Sequence, residues 1–144
     1  MEQSLDTSEA KEFLKGYQVS LWQIELLRQQ IDELYSSQLG GAIKYTDMPK
    51  AHNITDLSDY AAKLDELVFK WQAERVRSLA AMDEIMKTIN LIDVMEEQQV
   101  LFYRYVKGLQ WDDIMTKLSC SSRTLHRNHS KALCKIAQIL KKRN

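Results

Sequence analysis

Arg123, Arg127 and Lys131 succeed one another at four-residue intervals near the carboxyl end of the chain, with Thr124, His126 and Ser130 between them. Side chains at that interval share one face of a helix. An arginine on such a face can hold a guanine edge in the DNA major groove with two parallel hydrogen bonds. Lysine, hydroxyl and imidazole groups donate more loosely, usually to phosphate oxygens. The chemistry on offer is recognition of anions and base edges.

The surroundings strengthen that reading. All twenty Asp and Glu residues precede position 114, and residues 114–144 hold eight Lys or Arg and no acid. The formal net charge of zero therefore conceals a body, residues 1–113, at −8 and a tail at +8. A folded region of one sign held by an oppositely charged body is an electrostatic footprint for nucleic acid.

Other chemistries are weaker. Cys120, His126, His129 and Cys134 are spaced C-x5-H-x2-H-x4-C, which matches no common zinc module. His129 falls on an apolar helical face and is expected to be a hydrogen-bonded core histidine. The pairs Asp32-Glu33, Asp65-Glu66, Asp83-Glu84 and Glu96-Glu97 are adjacent in sequence. On a helix such neighbours diverge by about 100°, so the pairs are expected on solvated faces. Trp22, Trp71 and Trp111 are expected as core anchors. There is no Ser-His-Asp pattern, P-loop or glycine-rich dinucleotide loop, so the chain is expected not to be an enzyme and to need no cofactor or metal.

The elements that would position the basic face are helical. Four glycines and one proline in 144 residues leave long stretches unbroken, and no strand pattern stands out. Apolar residues recur at steps of three and four from Thr7 to Leu39, with Thr7 or Asp6 as cap and Gly40-Gly41 as the stop. Residues 40–55 read as a connector. A second long helix is predicted over Asp56–Asn90, with a near-heptad stripe from Leu57 through Trp71 to Ile89. Neither stripe can be buried by one helix alone, which argues for an antiparallel hairpin.

Leu91–Lys107 reads as a third helix ended by Gly108. Trp111–Leu118 comes next as a short helix with Ile114, Met115 and Leu118 inward. Ser119–Ser121 is a tight break, and a last helix runs from Ser122, capped by Ser121, to about Lys141. With Arg123 placed at zero and about 100° per residue, Leu125, His129, Ala132, Ile136 and Leu140 fall near 180–260°, and Arg123, Arg127, Ser130 and Lys131 fall opposite. Short helix, tight turn and two-faced second helix make a helix-turn-helix pattern. The candidate DNA contacts are Lys117, Ser121, Ser122, Arg123, Thr124, His126, Arg127, Ser130, Lys131 and Lys135. Arg123 and Arg127 suit bases, and Lys131 and Lys135 suit phosphates. A packing helix with a merely solvated basic face is the plainer alternative.

These residues carry a resemblance. Tyr105-Val-Lys-Gly-Leu-Gln-Trp-Asp-Asp-Ile114, Leu118-Ser-Cys-Ser-Ser-Arg-Thr-Leu125 and Lys131-Ala-Leu133 resemble the helix-turn-helix in the fourth region of the primary (sigma-70) bacterial sigma factors. With Met48-Pro-Lys50, Asp56-Leu-Ser-Asp-Tyr60 and Lys63-Leu-Asp-Glu-Leu67, nearly the full length resembles phage regulators of the ArpU/RinA type. The chain departs from that pattern at Ser119, where the turn usually has Gly, at Gln110, where Ser or Thr would cap, and at Asn128, usually apolar. The resemblance implies a regulator that binds double-stranded DNA and activates phage or prophage genes with host RNA polymerase.

The expected fold is thus all-α. A long N-terminal antiparallel helical hairpin (1–90) serves self-association, as a homodimer, or polymerase contact, and a helix-turn-helix domain (91–144) binds DNA. In a dimer the half-sites would lie about 34 Å apart. Two alternatives stand beside this one: a small terminase subunit for DNA packaging, and a coiled-coil adaptor that binds protein only. With no apolar run long enough to span a membrane, no signal-like start and two cysteines expected to stay reduced, a cytoplasmic location is expected.

Overall fold

The Asp6 carboxylate accepts a hydrogen bond from the Ser8 amide at 2.9 Å, and Lys11 N–H closes the first helical bond on the Thr7 carbonyl. That cap starts α1 (Ser8–Lys44) in the computed structural model, which describes residues 6–44 and 54–143. The other helices are α2 (Ile54–Ile89), α3 (Met95–Leu101), α4 (Trp111–Leu118) and α5 (Ser122–Arg143). Phe102–Val106 continues α3 as a π-helical turn. No strand occurs among the described residues, so the chain is all-α.

Two boundaries differ from the sequence reading. α1 runs through Gly40 and Gly41 to Lys44. Glycine weakens a helix interior by about 1 kcal/mol relative to alanine but does not forbid it, and no proline intervenes. The rest of the expected connector, residues 45–53, lies outside the described residues. The third helix starts at Met95 rather than Leu91, because residues 90–94 make the turn out of α2. Ile92 is buried there, its N–H on the Ile89 carbonyl and its own carbonyl held by the Gln98 carboxamide at 2.7 Å.

The chain forms two compact units, Met1–Val19 with Ser78–Asn144, and Ser20–Arg77. In the first, Ala10 and Leu14 of α1 pack with Ile85 and Ile89 of α2, Leu101 of α3, Tyr105, and Ala132, Leu133 and Ile136 of α5. A second cluster of Val100, Ile114 and Leu125 joins α3, α4 and α5. In the second unit the antiparallel strip of α1 and α2 is pinned by the Ser20 hydroxyl, which donates to the Glu74 carboxylate at 2.9 Å. Its one buried hydrophobic residue among the described positions is Leu67.

Two expectations about single residues fail. Trp22 is 56% exposed rather than a core anchor. Its apolar neighbours in sequence suggest a core position, but a two-helix hairpin leaves the outer side of each helix uncovered. Glu97 is buried rather than solvated, and its carboxylate is 2.7 Å from the Lys135 ammonium. The other adjacent acidic pairs sit on exposed faces, as expected.

Candidate nucleic-acid interface

The approach to the helix-turn-helix is fixed by backbone chemistry. Gly108 has φ 70°, in the left-handed region, and a Cβ there would lie 2.9 Å from the Gln18 side-chain oxygen. The angle favours glycine, and a Cβ there would push the Gln18 carboxamide from its place. Gln18 of α1 donates from its carboxamide to the carbonyls of Tyr105 and Val106, which the end of the π-helical turn would leave without helical partners. Arg104 donates to the Leu109 carbonyl at 3.0 Å and lies over the Trp111 ring, 4.4 Å from its centroid. Sequence reasoning missed both. Gln18 is 87 residues from its acceptor, and Arg104 and Trp111 lie in different helical elements with residues 107–110 between them.

α4 begins at Gln110, in extended conformation and with no side-chain cap bond. Asp112 and Asp113 in its first turn offset this by facing the positive helix end. Its exit is a Schellman turn. Ser119 adopts φ 53°, the Ser119 N–H reaches the Thr116 carbonyl at 3.3 Å, and the Cys120 N–H reaches the Met115 carbonyl at 3.2 Å. Met115 and Cys120 both pack on the Val100–Ile114–Leu125 cluster, completing the apolar contact of that motif. α5 then starts with Ser121 as cap, its hydroxyl accepting from Thr124 N–H at 3.2 Å.

The two faces of α5 separate as the wheel predicts. Leu125, His129, Ala132, Leu133 and Ile136 are buried. Ser122, Arg123, His126, Arg127, Ser130 and Lys131 are exposed, with Thr124 half-buried. Among the described residues, Arg123, Arg127 and Lys131 form no ion pair and no side-chain hydrogen bond. Lys117, exposed at the end of α4, lies 5.7 Å from the Tyr103 ring centre. The Ser121 and Thr124 hydroxyls bond each other at 3.1 Å, so they serve the cap.

Lys135 is the exception in the basic set. Its ammonium sits 3.0 Å from Asp93 and 2.7 Å from Glu97. The Glu97 and Asp93 carboxylates raise its pKa, and Lys135 in turn lowers that of Asp93. A lysine held by two carboxylates of its own chain is a brace between α5 and α3, not the phosphate contact that its place in the sequence suggests. The buried state of Glu97, which makes the difference, does not show in the sequence.

His129 meets the expectation of a bonded core histidine. Its Nε2 is 2.8 Å from the Tyr105 hydroxyl, and the Trp111 ring stands edge-on at 4.7 Å. Burial lowers its pKa from 6.5 to about 4, helped by the positive charges of Lys11, His126 and Arg104. The ring is therefore neutral near pH 7. Cys120 and Cys134 are free thiols, and among the described residues no three His, Cys, Asp or Glu groups come together to hold a metal. No helix among them is long and apolar enough to cross a membrane.

The charge of the arrangement decides what it can do. A capped helix end, uncompensated guanidinium groups in the first two turns and no acid on α5 together present a positive, donor-rich ridge on a rigid base. Comparison with protein-family models, with curated proteins and with solved structures found no match.

Proposed function

We propose that the chain is a sequence-specific DNA-binding transcriptional regulator that inserts the first turns of α5 into the major groove and activates phage or prophage genes with host RNA polymerase. The observation that carries the DNA-binding reading is the free guanidinium pair. Arg123 and Arg127 are exposed, unpaired among the described residues, and directly opposite a fully buried helix face. Such arginines are the usual readers of guanine edges. Lys117, His126, Ser130 and Lys131 flank them at positions suited to phosphate oxygens. Lys135 is left out of the contact set because Asp93 and Glu97 hold it. The phage and polymerase parts of the reading rest on the sigma-like and ArpU/RinA-like residues.

The test is titration of the full chain with DNA sequences selected from a random pool. With four or five phosphate contacts the logarithm of the binding constant should fall against the logarithm of salt with a slope of about −4. Arg123→Ala and Arg127→Ala should each weaken binding to the selected sequence by about ten-fold or more and relax preference at one base position. Their melting curves should match the parent, since both side chains are exposed. A flat salt response, or undiminished binding by the double variant, removes the reading.

A further inference from the structure

The Trp111 ring touches both faces of α5. On the buried face the His129 ring stands edge-on to it at 4.7 Å, and on the exposed face the His126 ring is tilted against it at 5.0 Å. His129 is fixed from the inside by the Tyr105 hydroxyl at 2.8 Å. His126 stands beside Arg127 and about one helical turn from Arg123. Burial of Leu125 and Ile136 decides that α5 packs, but apolar attraction has no direction. The roll of the helix about its own axis is left to directional contacts, and the indole supplies one on each face.

Arg104, in the middle of the π-helical turn, holds that indole. Its guanidinium lies 4.4 Å from the Trp111 ring centre and donates to the Leu109 carbonyl at 3.0 Å. The Leu109 N–H bonds the Tyr103 carbonyl at 3.0 Å. Both backbone groups of Leu109, two residues before Trp111, are therefore tied to the turn. Among the described residues Arg104 forms no ion pair, so its guanidinium is committed to the ring and the carbonyl. A planar, permanently charged fork can lie on a ring and donate in its own plane at once. Tryptophan is the side chain whose face holds a cation best. A π-helical turn inside a helix commonly marks a functional site, and this one carries the arginine that reaches the next helix.

We infer that Arg104 is a positioning residue for base recognition: it clamps the Trp111 indole and, through Trp111 and His126, sets the roll of the α5 face that carries Arg123 and Arg127. Its consequence rests on the DNA-binding reading, while the clamp itself is measurable without DNA. Two parallel hydrogen bonds to a base edge demand an aligned guanidinium. Contacts to phosphate carry no sequence information. Loosening the clamp therefore lowers the preference for a selected sequence more than the affinity for DNA of any sequence.

The experiment uses the full chain and two variants. Arg104→Gln keeps a donor for the Leu109 carbonyl but no charge, and Arg104→Lys returns a cation to the ring. Arg104→Met, which keeps the apolar stem, takes the place of Arg104→Gln if that chain fails to fold. Proton NMR of the free protein reads the Overhauser cross-peaks between the Trp111 and His126 rings. They should be present in the parent, lost in Arg104→Gln and recovered in Arg104→Lys. Competition binding gives the ratio of affinities for the selected sequence and a scrambled one. That ratio should fall by about ten-fold in Arg104→Gln and recover in Arg104→Lys. It should fall no further when Arg104→Gln is added to a chain already carrying Arg123→Ala and Arg127→Ala, because the groups being positioned are gone. Cross-peaks that persist in Arg104→Gln overturn the inference whether or not the chain binds DNA. So does a lysine that fails to restore them. Equal losses on both DNAs, with a salt slope shallower by about one, would make Arg104 a phosphate contact and overturn it too. Cross-peaks that depend on Arg104 in a chain with no preference among sequences would keep the clamp and remove the DNA reading instead.

Discussion

Of the fourteen hydrophobic side chains buried among the described residues, thirteen belong to the unit of Met1–Val19 with Ser78–Asn144, and one, Leu67, to Ser20–Arg77. Both units are made of amphipathic helix, and α1 and α2 contribute to both. The difference is the number of directions from which a helix is covered. In the first unit α5 meets α1, α2 and α3 at once, so Ala132 and Ile136 reach 0% exposure. In the second, each helix has one neighbour, and Leu27, Ile31, Leu64 and Trp71 stop half-way. Apolar periodicity alone therefore does not specify a core. The count of neighbours does.

The largest test of this contrast is paired truncation. Leu125→Ala should cost about 2–5 kcal/mol, because transfer and cavity terms add at a fully buried site. Ile31→Ala, half-buried, should cost about 1 kcal/mol or less in dilute protein. Urea unfolding read by circular dichroism measures both, and equal losses would break the comparison.

Acid sharpens it next. His129 is neutral in the folded first unit, its pKa lowered to about 4 by burial, and titrates near 6.5 when unfolded. The unfolded chain therefore binds the extra proton between those values. Stability that is fully present above about pH 6.5 should fall as pH drops toward about 4, by on the order of 2–3 kcal/mol from this one group. His129→Gln should flatten that part of the profile relative to the parent, as read from urea midpoints at pH 7 and pH 4.5. An unchanged slope would mean that the ring is already solvated.

The smallest effects belong to the ends of α4, where packing gives no help. Gln110→Ser should supply the missing cap and add about 1 kcal/mol. Ser119→Gly should relieve the left-handed φ of 53° and add roughly 0.5–1 kcal/mol. Melting temperatures of the two single variants and their combination test this, and a drop in either would count against the turn geometry described.

The helices are legible in the sequence because a 3.6-residue apolar rhythm is a local property, and the two faces of α5 separate as the wheel requires. The tight break at Ser119–Ser121 is legible too, but the left-handed φ of Ser119 is not. What stays hidden is pairwise and distant. Glu97 looks like half of a solvated acidic pair until Lys135, 38 positions away, is found against it. That one contact also removes Lys135 from the candidate DNA contacts. Trp22 misleads for the converse reason: its neighbours in sequence are apolar, but no helix of the unit lies over it. Gly40 and Gly41 mislead because a glycine stop is a preference worth only about 1 kcal/mol.

The carboxamide of Gln18 has one more implication. It closes backbone groups 87 and 88 positions downstream, beside a core whose wall includes Ala10 and Leu14. The opening turns of the polypeptide are thus masonry for the far end of the molecule. A fragment cut to begin at residue 91 would lose that wall, and its basic helix would stand on a house with one side open to water.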